Sequence, residues 1–323
     1  MNFNYVLGFI ITLVLMIIIM PSYIKLLKRL KINQVSSEYA LEEFKNKEKT
    51  PIMGGLLFVL IPVLVFAIIN FKGLLDRRLL FVMLSYVLYC SVGFIDDLLI
   101  IKSNKNDGLS PITRLVMEMV YTVILFFLFR DILPQQVTIP FTTIGIQLPW
   151  FIYLPFMVLL YMAEANAVNF TDGMDGLCAG VSFIALVPFL LFSLRMALDN
   201  VSLFLICILA GLLGYLYFNF HPAKIFMGDS GSLALGALFA SLGLMMDLTI
   251  ALFVIGGVFV IEMFCVVLQQ VSVRLFKKRV FSYTPIHYAF VIKGHKEKNI
   301  VLGFYALQLV LSLIGFIIGI NTL

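Results

Sequence analysis

The sequence predicts an all-α polytopic membrane protein with about ten transmembrane helices, one short extracellular β-hairpin and polar connectors gathered on the cytoplasmic side. Three observations predict it. The 323 residues are 62% hydrophobic and only 13% charged, whereas a soluble domain carries about 25% charged residues. Apolar runs near the ~20 residues needed to cross a bilayer recur from end to end, at 5–24, 53–71, 79–95, 115–133, 149–164, 177–194, 201–220, 232–246, 249–268 and 301–320. Counted on that scheme, the connectors after odd-numbered runs hold 18 of the 23 Lys and Arg residues, as positive-inside topology requires. Because the runs use nearly all of the chain, residues 1–323 are expected to form one integral domain.

The first run is expected to be retained as a span with its amino terminus outside. Met1 to Val6 carries no basic residue, while Lys25, Lys28, Arg29 and Lys31 follow the apolar core, the reverse of a secretory signal. With ten crossings the carboxyl terminus also falls outside. Lys72, Arg77 and Arg78 run against this scheme, which puts them on the outer side. A mixed-charge segment then leads through Lys47 to Thr50-Pro-Ile-Met-Gly-Gly55. Here Pro51 stops any preceding helix and Gly54-Gly55 lets backbones approach closely. Lys47 reads equally well as a phosphate-facing group or as one more inside lysine.

The third run ends in Asp96-Asp97. Carboxylates at a helix C-terminus oppose its dipole, so a purely structural helix would carry lysine there and the pair points to chemistry. The alternating segment 137–148 reads as the β-hairpin, followed by Trp150 and Tyr153 as interfacial anchors.

Between the fifth and sixth runs, where a short connector would suffice, stands Asn166-Ala-Val-Asn-Phe-Thr-Asp-Gly-Met-Asp-Gly-Leu177. A single Asp-Gly is ordinary turn chemistry. Two of them, Asp172-Gly173 and Asp175-Gly176, preceded by Asn166 and Asn169, exceed what a turn needs, and polar clusters at a membrane boundary mark functional sites. Amides beside carboxylates suit a phosphate-bearing ligand and its metal.

Asn219-Phe-His-Pro-Ala-Lys-Ile-Phe-Met-Gly-Asp-Ser-Gly-Ser232 is a further polar connector on the same side. Asp229 stands at the start of the next helix, where N–H groups favour anions. Phe226 could stack on a base or simply anchor the loop, and His221 reads as a loop residue. The segment from Arg274 to His295 alternates basic and apolar residues, as an amphipathic stretch on an anionic leaflet does. It contains His287, which taken alone is an ordinary loop histidine. Glu262 is an intramembrane carboxylate with no partner evident from sequence. Gly236, Ala240 and Gly243 fit close helix contacts. The four cysteines lack Cys-x-x-Cys spacing and read as buried thiols. With no His/Cys cluster, a bound metal would take oxygen ligands, as Mg²⁺ does.

Together, Thr50-Pro-Ile-Met-Gly-Gly55, Asp96-Asp97, the 166–177 motif, Pro222-Ala-Lys-Ile-Phe-Met-Gly-Asp-Ser-Gly-Ser-Leu233 and Thr284-Pro-Ile-His287 resemble the polyprenyl-phosphate N-acetylhexosamine-1-phosphate transferases, over essentially the whole chain and in order. The loop Arg279-Val-Phe-Ser-Tyr-Thr-Pro-Ile-His287 resembles the muramoyl branch rather than members that use UDP-N-acetylglucosamine. That branch continues with two more histidines and a Glu. Here Tyr288, Ala289 and Val291 stand in those places, and Ile100 replaces a Lys three residues after the aspartate pair.

The resemblance implies transfer of phospho-MurNAc-pentapeptide from UDP-MurNAc-pentapeptide to undecaprenyl phosphate, giving lipid I and UMP, with Mg²⁺ as cofactor. It further implies a bacterial cytoplasmic membrane location, a cytoplasmic catalytic cleft, membrane-lipid contacts, a homodimer and no nucleic-acid partner. On matching positions the candidate catalytic residues are Asp96, Asp97, Asp229, His287 and Lys47, with Asp229 the metal ligand. The candidate substrate-binding residues are Asn166, Asn169, Asp172, Asp175, Gly176, Asn219 and Phe226. Asp96 and Asp97 would meet the lipid phosphate, Asn169, Asp172, Asp175, Asn219 and Phe226 the uridine, and Lys47 and His287 the phosphates. Within the drifted loop His287 is expected to matter, and Tyr288 and Ala289 not.

Phosphoryl transfer requires in-line positioning and cancelled negative charge, so clustered carboxylates are useful only with a cation among them. Direct attack and a covalent aspartyl intermediate are both open. A sibling transferase using UDP-N-acetylglucosamine is the nearer alternative. An ion-coupled transporter is remote, because its carboxylates would lie at the bilayer midplane between repeated halves.

Overall fold

A computed structural model describes residues 3–33, 50–103, 108–142 and 144–323. Lys47 lies outside the described residues. Twelve α-helices and one hairpin follow in order among those described: α1 (Phe3–Arg29), α2 (Gly55–Ile69), α3 (Arg77–Ser103), α4 (Pro111–Phe129), β1 (Gln136–Thr138), β2 (Gly145–Gln147), α5 (Trp150–Thr171), α6 (Leu177–Arg195), α7 (Asp199–Asn219), α8 (Asp229–Met245), α9 (Thr249–Ile255), α10 (Gly257–Phe276), α11 (Ile286–Ile292) and α12 (Glu297–Ile320). Eight of them are long and apolar enough to cross a membrane. The apolar helices α2 and α8 are shorter, at 15 and 17 residues.

α8 is the axis of the bundle. Every residue from Ser230 to Met245 is buried, and α3 and α5 pack against it most extensively, with α2, α9 and α6 completing the sheath. Such burial is possible because α8 is rich in Gly, Ala and Ser, and small residues let backbones come close where lipid provides no hydrophobic drive. A methyl at Gly236 would strike the Ala165 backbone, and one at Gly243 the Leu252 side chain. At the other end of α3, Gly93 lies directly against the Asp229 carbonyl and the Ser230 nitrogen. Sequence position 93 therefore sets how near Asp97, one turn on, can come to the start of α8.

The run 249–268 differs from the single span expected of it. α9 ends after seven residues at Ile255, Gly256 leaves helical geometry at φ −82° and ψ 18°, and α10 begins at Gly257. Adjacent glycines weaken a helix enough for packing to break it. α9 stays against α12 and α8, while α10 contacts α5 and carries many exposed apolar residues.

The hairpin pairs Gln136 with Gln147, Val137 with Ile146 and Thr138 with Gly145. It is pinned by Asp247, whose carboxylate accepts from Gln136 Nε2 at 2.6 Å, Thr138 Oγ1 at 2.5 Å and the Thr138 N–H at 3.3 Å. Asp247 follows the end of α8, so the hairpin and the Asp229 end are separated by the helix, about 25 Å at ~1.5 Å per residue.

If the α3–α8 approach sets the geometry, Gly93→Ala should lower stability by about 1–3 kcal/mol through overpacking against backbone. Gly303→Ala, at a helical position with nothing within 4 Å of the added methyl, should leave it unchanged or raise it by up to about 1 kcal/mol. Thermal unfolding of the detergent-solubilised variants makes the comparison. Equal melting of both would mean that α3 and α8 are not so tightly apposed.

Candidate functional site

Polar residues from five segments meet around the first turn of α8. Gly228, just before it, adopts φ +75°, and a side chain there would meet the Asp97 carboxylate. Glycine thus permits both the backbone angle and the approach. Through that gap Asp97, buried near the end of α3, accepts the backbone N–H of Asp229 at 3.0 Å and of Ser230 at 3.1 Å. These N–H groups are among those a helix start leaves without intrahelical partners, and the carboxylate also complements the positive end of the helix dipole. Both oxygens of Asp97 are thus engaged by the start of α8. Its neighbour Asp96, also buried, accepts the Leu109 N–H at 2.6 Å and faces the Asp229 carboxyl.

Asp229 itself is half-buried, and both its oxygens are held. Asn169 Nδ2 donates to Oδ1 at 2.8 Å and reaches Ser232 Oγ at 2.9 Å. Arg114 Nη1 donates to Oδ2 at 2.8 Å, its Nη2 to Asn166 Oδ1 at 3.1 Å and its Nε to the buried Glu118 at 3.3 Å. The local sequence explains how Arg114 arrives there. Ser110 caps α4 through the Thr113 N–H at 3.1 Å, Pro111 starts the helix, and Arg114 then sits one turn before Glu118. From sequence Arg114 is just one basic residue among many on its side, and Glu118 gives no signal at all.

The remaining motif residues build a second layer. Asn219 is buried, accepting the Gly176 N–H at 3.0 Å and donating to the Ile225 carbonyl at 2.9 Å. Asp175, also buried, accepts the Ala223 N–H at 3.0 Å and contacts His221 Nδ1 at 2.9 Å, while its own N–H goes to Glu297 at 2.8 Å. Both side chains thus tie the 172–176 turn to the loop before α8. The half-buried Phe226 joins the same loop to the 50–55 segment, its N–H bound to the Pro51 carbonyl at 2.8 Å and its own carbonyl accepting from Gly54 at 2.8 Å. His287 packs against Gly173, and the Tyr288 hydroxyl donates to the Gly173 carbonyl at 3.0 Å. Tyr288, expected to be indifferent, is therefore a clamp on the turn.

Among the described residues, two places could hold a cation. Asp96 and Asp229 offer facing carboxyl oxygens, the hard donors that Mg²⁺ takes, and the Arg114 guanidinium already shows that this place stabilises positive charge. The other is Asp175, His221 and Glu297, whose ligand atoms lie within 4.8 Å of one another. Imidazole suits zinc and other transition metals better than Mg²⁺, and through the Ala223 and Asp175 N–H groups these carboxylates latch the 172–176 turn to the loop before α8 and to α12. The donor chemistry favours the first.

A family model described as glycosyl transferase family 4 matches residues 79–248. The chain is 38% identical over 321 residues to the phospho-N-acetylmuramoyl-pentapeptide-transferase of Staphylococcus haemolyticus, covering 97% of this chain and 98% of that one. The enzyme of the same name from Halalkalibacterium halodurans is 35% identical over 308 residues, 95% and 94% of the two chains. The chain belongs to the phospho-N-acetylmuramoyl-pentapeptide-transferase family. Within this family member the matched region runs from the start of α3 past α8, so it contains the Asp97–Asp229 junction but neither α11 nor Glu262.

Asp172 supplies a pH test. Burial first, then the Asp229 and Asp175 carboxylates, push its carboxyl from 3.8 up to about 7, although one edge stays accessible. A carboxyl raised on folding contributes its stability below the unfolded value, and that contribution is lost as pH rises through the folded one. Stability should therefore fall between about pH 4 and pH 8 through this group, and Asp172→Asn should flatten the fall. Melting temperatures of both proteins across that range decide. Parallel curves would place the Asp172 carboxylate in contact with solvent.

Proposed function

We propose that this protein transfers phospho-MurNAc-pentapeptide from UDP-MurNAc-pentapeptide to undecaprenyl phosphate, releasing UMP and forming lipid I. The observation that carries the proposal is the convergence of Asp96, Asp229, Asn169 and Arg114 within hydrogen-bonding reach at the start of one buried helix. Two carboxyls, an amide and a guanidinium at a helix N-terminus form a place for a diphosphate and its counter-ion, and phosphoryl transfer asks the protein for little beyond positioning and charge cancellation.

In this reading the lipid phosphate oxygen forms a bond to the phosphorus that bears the sugar, and the bond from that phosphorus to the UMP oxygen breaks. Asp96 and Asp229 would hold Mg²⁺, which when bound neutralises charge developing on the diphosphate. Arg114 would turn from Asp229 toward a phosphate oxygen, a bidentate partner for which guanidinium is suited. Asp97 acts by fixing the backbone from which Asp229 projects. Asn169 orients the Asp229 carboxyl, and Asn166 does the same for Arg114. Asp172, Asp175, Gly176, Asn219 and Phe226 would shape the uridine side, Asp175 and Asn219 by holding the turn rather than by direct contact. Lys47 remains a candidate for phosphate.

The same reading places the protein in a bacterial cytoplasmic membrane with ten crossings and both termini outside. The asymmetry of 18 of 23 basic residues supports it. The loop 279–287 favours the muramoyl substrate over UDP-N-acetylglucosamine.

Release of UMP from each nucleotide sugar, with undecaprenyl phosphate and Mg²⁺ supplied, tests the proposal. UMP should appear with UDP-MurNAc-pentapeptide and not with UDP-N-acetylglucosamine, and Asp229→Asn should reduce the rate by about 10²–10³-fold while the protein still inserts. Turnover only with UDP-N-acetylglucosamine would establish the sibling activity. No UMP from either would remove the transferase reading.

A further inference from the structure

Glu262 lies on α10 and is fully buried. A carboxylate in a membrane-spanning helix persists only with partners, and both of those found here come from the start of α11. Its Oε2 accepts the Ile286 N–H at 2.7 Å, and its Oε1 lies 3.1 Å from His287 Nδ1. An ionised carboxylate can only accept, so facing one Nδ1 must be the donor. In a neutral ring Nε2 then carries the lone pair. His287 is fully buried, and Nε2 has no hydrogen-bond partner among the described residues. It lies against Gly173, where any side chain would collide with it, so it points at the turn between Asp172 and Asp175.

We propose that Glu262 is a positioning residue that holds His287 as the Nδ1–H tautomer, so that Nε2 faces the Asp172–Asp175 turn as a hydrogen-bond acceptor for an N–H or O–H of the nucleotide sugar. This rests on the transferase reading and changes one part of it. A phosphate oxygen at Nε2 would meet a lone pair, so His287 serves a donor group of the substrate rather than a phosphate. The carboxylate does two jobs with its two oxygens: one anchors the backbone of α11, the other sets the polarity of the ring. A buried acceptor that finds its donor only in the correct ligand discriminates strongly against ligands lacking it.

Glu262→Gln separates the two jobs. The amide oxygen still accepts from Ile286, but the amide nitrogen now donates to Nδ1, and the proton moves to Nε2, the tautomer inversion known from Asp→Asn changes beside catalytic histidines. The chain has three histidines, so ¹⁵N-histidine labelling of the full-length protein in detergent, with His287→Gln to assign the signal, reads the tautomer without reference to turnover. The wild type should be protonated on Nδ1 only, and saturating UDP-MurNAc-pentapeptide should shift the Nε2 resonance. In Glu262→Gln the proton should appear on Nε2, and kcat should fall about tenfold or more with little change in KM for undecaprenyl phosphate.

A wild-type ring protonated on Nε2 or on both nitrogens overturns the proposal, and so does a tautomer switch with unchanged kcat. If Glu262→Gln does not fold, the wild-type spectrum with and without nucleotide sugar still decides, since an unmoved Nε2 resonance contradicts the acceptor role. The expected tautomer in a protein that turns over no nucleotide sugar would instead remove the transferase reading.

Discussion

The Asp97 carboxylate on the N-terminus of α8 is the contact on which the rest of the site depends. α8 is buried from Ser230 onward, and backbone donors left unsatisfied in a buried helix start cost several kcal/mol each. Asp97 satisfies two of them, at Asp229 and Ser230. The same contact joins two helices at a defined height, aims the Asp229 side chain outward and brings Asp96, one residue earlier, to face it. Gly93 and Gly228 exist at the places where any side chain would prevent that approach. Stability and chemistry therefore share one set of atoms.

Around this junction the charges are arranged in pairs that need one another. Asp229 is divided between Asn169 and Arg114, and Arg114 between Asp229, Asn166 and Glu118. The arrangement holds a guanidinium beside the carboxylate proposed to hold Mg²⁺. A diphosphate entering with its metal would offer each partner a substitute: the metal for Asp229, a phosphate oxygen for Arg114. Exchange of pre-formed ion pairs avoids leaving a buried charge unpaired, which is the expensive state.

Much of this was legible because polar residues in an apolar chain have few structural excuses. Asp96-Asp97, the two Asp-Gly pairs and Asp229 stand out by residue type alone, and the alternation at 137–148 marks the hairpin. What stayed hidden arises from contacts across long stretches of chain. Arg114 meets Asp229 from 115 residues away, and Glu262 meets His287 from 25 residues away, across the loop between α10 and α11. Paired glycines in an apolar run carry no sign of the break between α9 and α10. For Asn219 and Asp175 the residue type pointed to the right neighbourhood but not to the partner, since amides and carboxylates bind a backbone N–H as readily as a ligand. Tyr288 read as drift from a family pattern, yet its hydroxyl reaches the same turn that His287 packs against.

Asp97 is proposed to act through the position of Asp229 rather than on substrate by itself. Transition-state stabilisation measured for Asp97→Asn, Asp229→Asn and the double variant, as kcat/KM for UMP release, tests it most directly as a double-mutant cycle. If Asp97 works through Asp229, the double variant should be no slower than Asp229→Asn alone, within about threefold. Losses that multiply would contradict the account and give Asp97 a separate role at the lipid phosphate.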